Sequence, residues 1–168
     1  MNFENKVTSR EIGDILYDSG LTVGTAESCT GGRVAEGIIA IPGASNYFKG
    51  GIICYADEIK INMLRVNPES IAEYTVFSEQ VAREMVSGAI DALGVNFAIA
   101  TTGVAGPGGA VPEAPVGTIW LACGTKDDIV ATKLTEDYGR DINLAIATSQ
   151  ALKLFLDYLK ERQIGSEG

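Results

Sequence analysis

Thr25-Ala26-Glu27-Ser28-Cys29-Thr30-Gly31-Gly32 decides how this chain is read. The apolar run Leu21 to Val23 leads into it, and Val34, Ile38, Ile39 and Ile41 follow at helical spacing. A strand that breaks into small hydroxyl residues and glycines and then opens a helix gathers free backbone N–H groups and a side-chain nucleophile. Ser28 stands where such a strand ends, the usual place for ligands in open α/β sheets.

The 168 residues include no histidine. A serine hydroxyl needs a neighbour to take its proton, and lysine is the leading substitute for imidazole. A lysine serves when burial or nearby cations lower its pKa. Lys60 is the best placed, on a short helix expected over 57–64 that follows a buried-looking strand over 50–55. Tyr55, at that strand's end, is positioned to relay a proton between Ser28 and Lys60 or to orient either. Plainer roles compete. A serine in such a turn more often caps a helix, and a lone lysine is usually a solvated charge. Cys29 is more often a small buried apolar residue, but a helix N-terminus could activate it as a rival nucleophile. Glu27 is a capping or orienting acid, and is counted with the residues that contact substrate.

Working outward, Ile12, Ile15 and Leu16 with Gly20 predict a helix over 8–19. A strand is expected over 21–25, then a helix from the serine loop to about 41, ended by Pro42-Gly43. Ser78 is the expected N-cap of a helix reaching about 93, with Val81, Met85, Ala89 and Ile90 on one face. A strand over 97–101 runs into Thr102-Gly103-Val104-Ala105-Gly106-Pro107-Gly108-Gly109. Strands over 116–123 and 129–134 flank a turn over 124–128. The last helix is expected over 141–159, with 163–168 frayed. Alternating strands and helices predict an α/β/α three-layer sandwich around a mostly parallel sheet, made mixed by the late hairpin. One domain spans 1–168, its core running from about 8 to 160.

Thirteen basic residues against 22 acidic ones give a net charge of −9. Such a surface repels nucleic acid and anionic membranes, so neither is an expected partner. Cys29, Cys54 and Cys123 lack metal-type spacing, and without histidine a zinc site is hard to assemble; free thiols are expected, and no metal. Met1 to Lys6 lacks a signal peptide's apolar core, and no apolar run approaches the ~20 residues that span a bilayer. The expected location is cytoplasmic.

The second glycine loop, with Gly103, Gly106, Gly108 and Gly109, suits a phosphate because glycines let backbone N–H groups approach an anion closely. No Gly-Lys-Ser/Thr follows, and Pro112 and Pro115 replace the helix that a dinucleotide fingerprint requires. Thr102 and Arg140 are the expected side-chain partners of a phosphate. An ordinary surface arginine is the plain reading of the latter.

Ala26 to Gly32, Pro42-Gly43-Ala44-Ser45, Tyr47-Phe48, Gly50-Gly51, Tyr55 with Lys60, Thr102 to Gly109 and Pro115 to Trp120 occur in this order. In this the chain resembles the nicotinamide-nucleotide amidohydrolases, the C-terminal domain of the competence/damage-inducible proteins, in stand-alone form. The resemblance implies hydrolysis of the carboxamide of nicotinamide mononucleotide to nicotinic acid mononucleotide and ammonia, without metal or organic cofactor. It implies Ser28, Tyr55 and Lys60 as the catalytic set, a mixed five-stranded sheet, and a dimer or larger homo-oligomer. Ala114 and Leu144 stand where it implies a lysine and a second arginine, and Tyr138-Gly139 replaces Gly-Asp before Arg140. Acyl transfer through Ser28 would use the backbone N–H groups of Thr30 and Gly31 for the oxyanion. Two other readings stay open: a non-catalytic nucleotide-binding or regulatory module, and an amidase for another small amide.

Overall fold

The computed structural model describes residues 2–166. The Asn2 side chain accepts the Asn5 N–H at 2.8 Å and opens α1 (Phe3–Leu16), five residues earlier than apolar periodicity alone predicts. Then come β1 (Val23–Glu27), α2 (Arg33–Ile39), a 3₁₀ turn, and β2 (Phe48–Ile53). α3 (Asp57–Leu64) has its expected bounds. α4 (Pro68–Tyr74) is an addition to the sequence reading, although its start signal was present: Asn67 caps the Glu69 N–H and proline occupies the first turn. α5 (Glu79–Leu93) begins at its Ser78 cap, whose hydroxyl accepts the Val81 N–H at 3.3 Å. β3 (Phe97–Gly103), β4 (Ile119–Thr125), β5 (Asp128–Leu134) and α6 (Arg140–Glu161) complete the chain. β4 starts later than expected because Gly117, at φ 97°, turns the chain first.

The strands lie in the order β2-β1-β3-β4-β5. β1 pairs in parallel with β2 and β3, and the other two pairings are antiparallel. Four strands therefore run one way and only β4 runs back. Residues alternate between two cores. Phe97 and Ile99 of β3 join Ile12, Leu152 and Phe155 under α1, α2 and α6. Ala98 and Ala100 face Val81, Met85 and Ala89 of α5. Alanines on that face let α5 sit close to the sheet.

The connection from β1 to β2 uses α2, which packs on one face; the return from β2 to β3 uses α5 on the other. The chain thus reverses direction at β1, and the carboxyl ends of β1, β2 and β3 meet at one edge. Such a reversal opens a crevice beyond the strand ends. Among the described residues, no helix is long and apolar enough to cross a membrane. The fraying expected over 163–168 does not hold for Ile164, which packs on the core while its N–H reaches the Leu159 carbonyl at 2.9 Å. Residues 167 and 168 lie outside the described residues.

Candidate active site

Pairing of β1 with β2 puts Glu27 beside Ile53, and the Cys54 N–H continues the ladder to the Glu27 carbonyl at 2.9 Å. Ser28 therefore leaves the sheet beside Cys54, one residue before Tyr55. α3 begins two residues later, and its first turn carries Lys60 back over the strand ends. The Lys60 Nζ lies 2.9 Å from the Ser28 Oγ, 2.8 Å from the Cys54 carbonyl and 3.3 Å from that of Tyr55.

Lys60 is 1% exposed, and no ion pair among the described residues includes it. Burial pushes its amine below the ordinary 10.5, more strongly than Cys54, Asp57, Cys29 and Tyr55 pull it up. Three oxygens surround the nitrogen, enough for the three N–H bonds of an ammonium; once neutral, the amine can give its two hydrogens to the carbonyls and keep its lone pair for the serine hydroxyl. The solvated-charge reading of Lys60 fails here.

The serine is held as firmly as the lysine. Its N–H donates to the Thr101 carbonyl at 3.0 Å, and its carbonyl accepts the Gly31 N–H at 3.2 Å. The Gly31 N–H is thus already engaged, contrary to the expected oxyanion role. Among the described residues, the Cys29 and Thr30 N–H groups have no protein acceptor. The Gly32 N–H is free as well, but of the three residues Cys29 lines the crevice, which leaves Cys29 and its neighbour Thr30 as the donors nearest the serine in sequence. The Cys29 thiol is a poor rival to the hydroxyl, because burial pushes it up to about 11.

Two expected substrate contacts have structural jobs instead. Glu27 is 1% exposed and does not line the crevice. Its Oε1 accepts the Thr30 hydroxyl at 2.7 Å and the Val34 N–H at 2.8 Å, and its Oε2 accepts the Ala35 N–H at 3.0 Å. It caps α2 from seven residues away, where Gly32, at φ 103°, offers no side chain. Since Thr30 gives its one hydroxyl proton to Glu27, Thr101 donates to Thr30 across their 2.8 Å contact. Thr102 is wholly buried, and its hydroxyl donates to the Val76 carbonyl at 2.9 Å rather than facing a ligand.

The remaining expected residues do converge. Ser28, Tyr55, Lys60, Gly103, Gly106, Gly108, Gly109 and Arg140 line one cavity of about 180 Å³. Arg140 opens α6 rather than preceding it, and one guanidinium N–H donates to the Gly106 carbonyl at 2.9 Å. An added Cβ on Gly106 would lie 2.4 Å from Val116, while Gly108 faces open space. Tyr55 is 63% exposed, and its phenol makes no hydrogen bond to Ser28 or Lys60 among the described residues. Direct contact of amine and hydroxyl takes the place of the relay; Tyr55 orients Lys60 through its backbone carbonyl.

Asp57, Val76 and Phe77 also line the cavity and went unnoticed in the sequence, because no periodicity marks them. Ala114 and Leu144, the two positions lacking a cation, are both buried and away from the cavity, Leu144 in the core under α6. Two hollows of about 250 Å³ elsewhere hold no serine or cysteine beside a base. Among the described residues no group of three His, Cys, Asp or Glu side chains is placed to hold a metal.

The model of the CinA C-terminal domain matches residues 5–159. A CinA-like protein of Leptospira borgpetersenii serovar Hardjo-bovis (strain L550) is 42% identical over 128 residues, covering 76% of this chain and 30% of that protein. A putative competence-damage inducible protein of Halothermothrix orenii is 41% identical over 151 residues, covering 89% and 37%. This chain spans about a third of the length of these curated relatives. The crystal structure of the competence/damage inducible protein CihA from Agrobacterium tumefaciens superposes with a TM-score of 0.89 at 33% identity, covering 94% of this chain and 96% of that one.

Proposed function

This chain belongs to the CinA C-terminal domain family, and on that premise we propose that it hydrolyses the carboxamide of nicotinamide mononucleotide, giving nicotinic acid mononucleotide and ammonia. The observation that carries the reading is the 2.9 Å contact between the buried Lys60 amine and the Ser28 hydroxyl.

The Ser28 Oγ attacks the carboxamide carbon as its proton passes to the Lys60 lone pair. The Cys29 and Thr30 N–H groups receive the developing oxyanion, each donor worth about 3 kcal/mol in such sites. The protonated Lys60 then gives its proton to the departing nitrogen, the C–N bond breaks, and ammonia leaves. Water, deprotonated by the same amine, opens the Ser28 ester and frees the acid. Gly103 to Gly109 and the unused N–H donors of Arg140 take the phosphate. Among the described residues lining the cavity, Arg140 is the basic side chain not given to proton transfer, so phosphate affinity rests on Arg140 rather than on positions 114 and 144.

Ammonia release from the mononucleotide by the purified protein, and its loss in Ser28→Ala with the melting temperature retained, is the expected result. Turnover that survives Ser28→Ala refutes the nucleophile. Nucleotide binding without ammonia release replaces hydrolysis by a ligand-holding role.

A further inference from the structure

Thr75 occupies φ 69°, ψ 161°, a region adopted almost only by glycine and costly for a β-branched residue. Four hydrogen bonds hold the segment there. The Thr75 N–H donates to the Ile71 carbonyl at 3.0 Å, and the Phe77 N–H to the Thr75 hydroxyl at 3.2 Å. The Ser78 hydroxyl donates to the Thr75 carbonyl at 2.8 Å, and the Thr102 hydroxyl to the Val76 carbonyl at 2.9 Å. Strain this well held marks a position whose shape is used.

The segment fixes the backbone from which the Phe77 ring projects. That ring is half-buried yet belongs to neither hydrophobic core, although the adjacent Val76 packs against one. It lines the Ser28–Lys60 cavity and also a hollow of about 430 Å³ behind it, so it stands as a thin wall between two spaces. A large apolar side chain held by a strained backbone and left out of the core is free to meet a ligand. Within the same cavity Asp57 supplies a carboxylate, while Arg140 and the glycine loop supply positive charge and N–H donors. A ligand that is cationic at a flat ring and anionic at its other end matches that distribution.

We infer that Phe77 selects the cationic pyridinium ring of the substrate through its aromatic face, with Thr75 and Thr102 as positioning residues that hold it there. This deepens the amidohydrolase reading and rests on it for the identity of the ring. The carboxamide nucleotide exists with an oxidised, charged ring and with a reduced, neutral dihydropyridine ring of nearly the same shape. An aromatic face discriminates between them; an aliphatic side chain of similar volume does not.

The test is calorimetric titration of both forms of nicotinamide mononucleotide into Ser28→Ala, which lacks the proposed nucleophile and so is expected to bind without turnover. Ser28→Ala is expected to bind the oxidised form roughly tenfold more tightly than the reduced form. That preference falls to within about twofold when Phe77→Leu is added, and survives when Phe77→Tyr is added instead. Thr75→Gly, which relieves the backbone strain but removes the hydroxyl that holds the Phe77 N–H, is expected to melt no lower than its parent and to bind the oxidised form more weakly. A preference that persists in Phe77→Leu, that is absent from the parent, or a parent that binds neither form overturns the inference. The hydrolysis reading is judged separately, by ammonia release from the unaltered protein. Turnover without ring preference sinks the inference alone, and ring preference without turnover sinks the hydrolysis alone.

Discussion

Replacing Glu27 by glutamine separates a structural acid from a ligand-binding one at almost constant shape. In the native chain, two oxygens receive three donors: Thr30 and Val34 on one, Ala35 on the other. Glutamine keeps one acceptor and turns the other into an N–H₂ group. If its oxygen stays with Thr30 and Val34, the new amide points a donor at the Ala35 N–H. If it flips, two donors are opposed instead of one. The side chain is 1% exposed, so water cannot step in. Losing one charge-assisted hydrogen bond and leaving a donor unpaired costs about 2–3 kcal/mol. For a chain of this size that lowers the melting temperature by roughly 4–12 °C. The assay is thermal unfolding at neutral pH, paired with steady-state kinetics well below the melt. Since Glu27 also holds Thr30 and the start of α2, kcat should fall more than KM rises. An unchanged melting temperature with a raised KM would mean that Glu27 meets the substrate, and the capping argument would be wrong.

The pH dependence follows from Lys60. Its folded pKa lies below 10.5, so between those two values the folded chain binds fewer protons than the unfolded one. Accordingly kcat/KM should climb about tenfold per pH unit up to the folded value and then level off, whereas the destabilisation from the buried ammonium, full below that value, should fade only from there up to 10.5. A rate that drops across that range contradicts the base. Gly88→Ala should cost about 3 kcal/mol in denaturant unfolding and also slow turnover, because its Cβ would lie 1.9 Å from the Leu64 carbonyl of the helix that carries Lys60. An undisturbed midpoint would show that α3 and α5 separate freely. Cys29→Ala should keep turnover within a few-fold of the parent, and complete loss would return the thiol to contention as nucleophile.

How much was legible in the sequence depends on the distance over which each feature is determined. α3 and α5 were readable because a Ser78 cap, a glycine stop and apolar spacing act within a few residues. The absent histidine forced the choice of lysine before any coordinate was known. α4 was signalled by Asn67-Pro68 and overlooked, since its apolar face is too short to show a period. Glu27, for which capping was one of the readings, and Thr102 were both counted with the ligand contacts for a different reason. Each stands beside a ligand-bearing motif, but its partners, Ala35 at eight residues and Val76 at 26, are known only after the chain has folded. Phe77 carried no signal, because exclusion from two cores is a property of the packed molecule.

By itself, the sequence determined most element types, the serine loop and the absence of imidazole, all of which follow from local preference and composition. Only the tertiary structure decided which donors are spent and which are free. Strand register sets that outcome: the alignment of Glu27 with Ile53 brings the Cys54 and Tyr55 carbonyls beside Ser28 and draws the Lys60 amine between them. A one-residue slip in that parallel pairing would leave every local signal unchanged and point the side chains of β2 to the opposite faces.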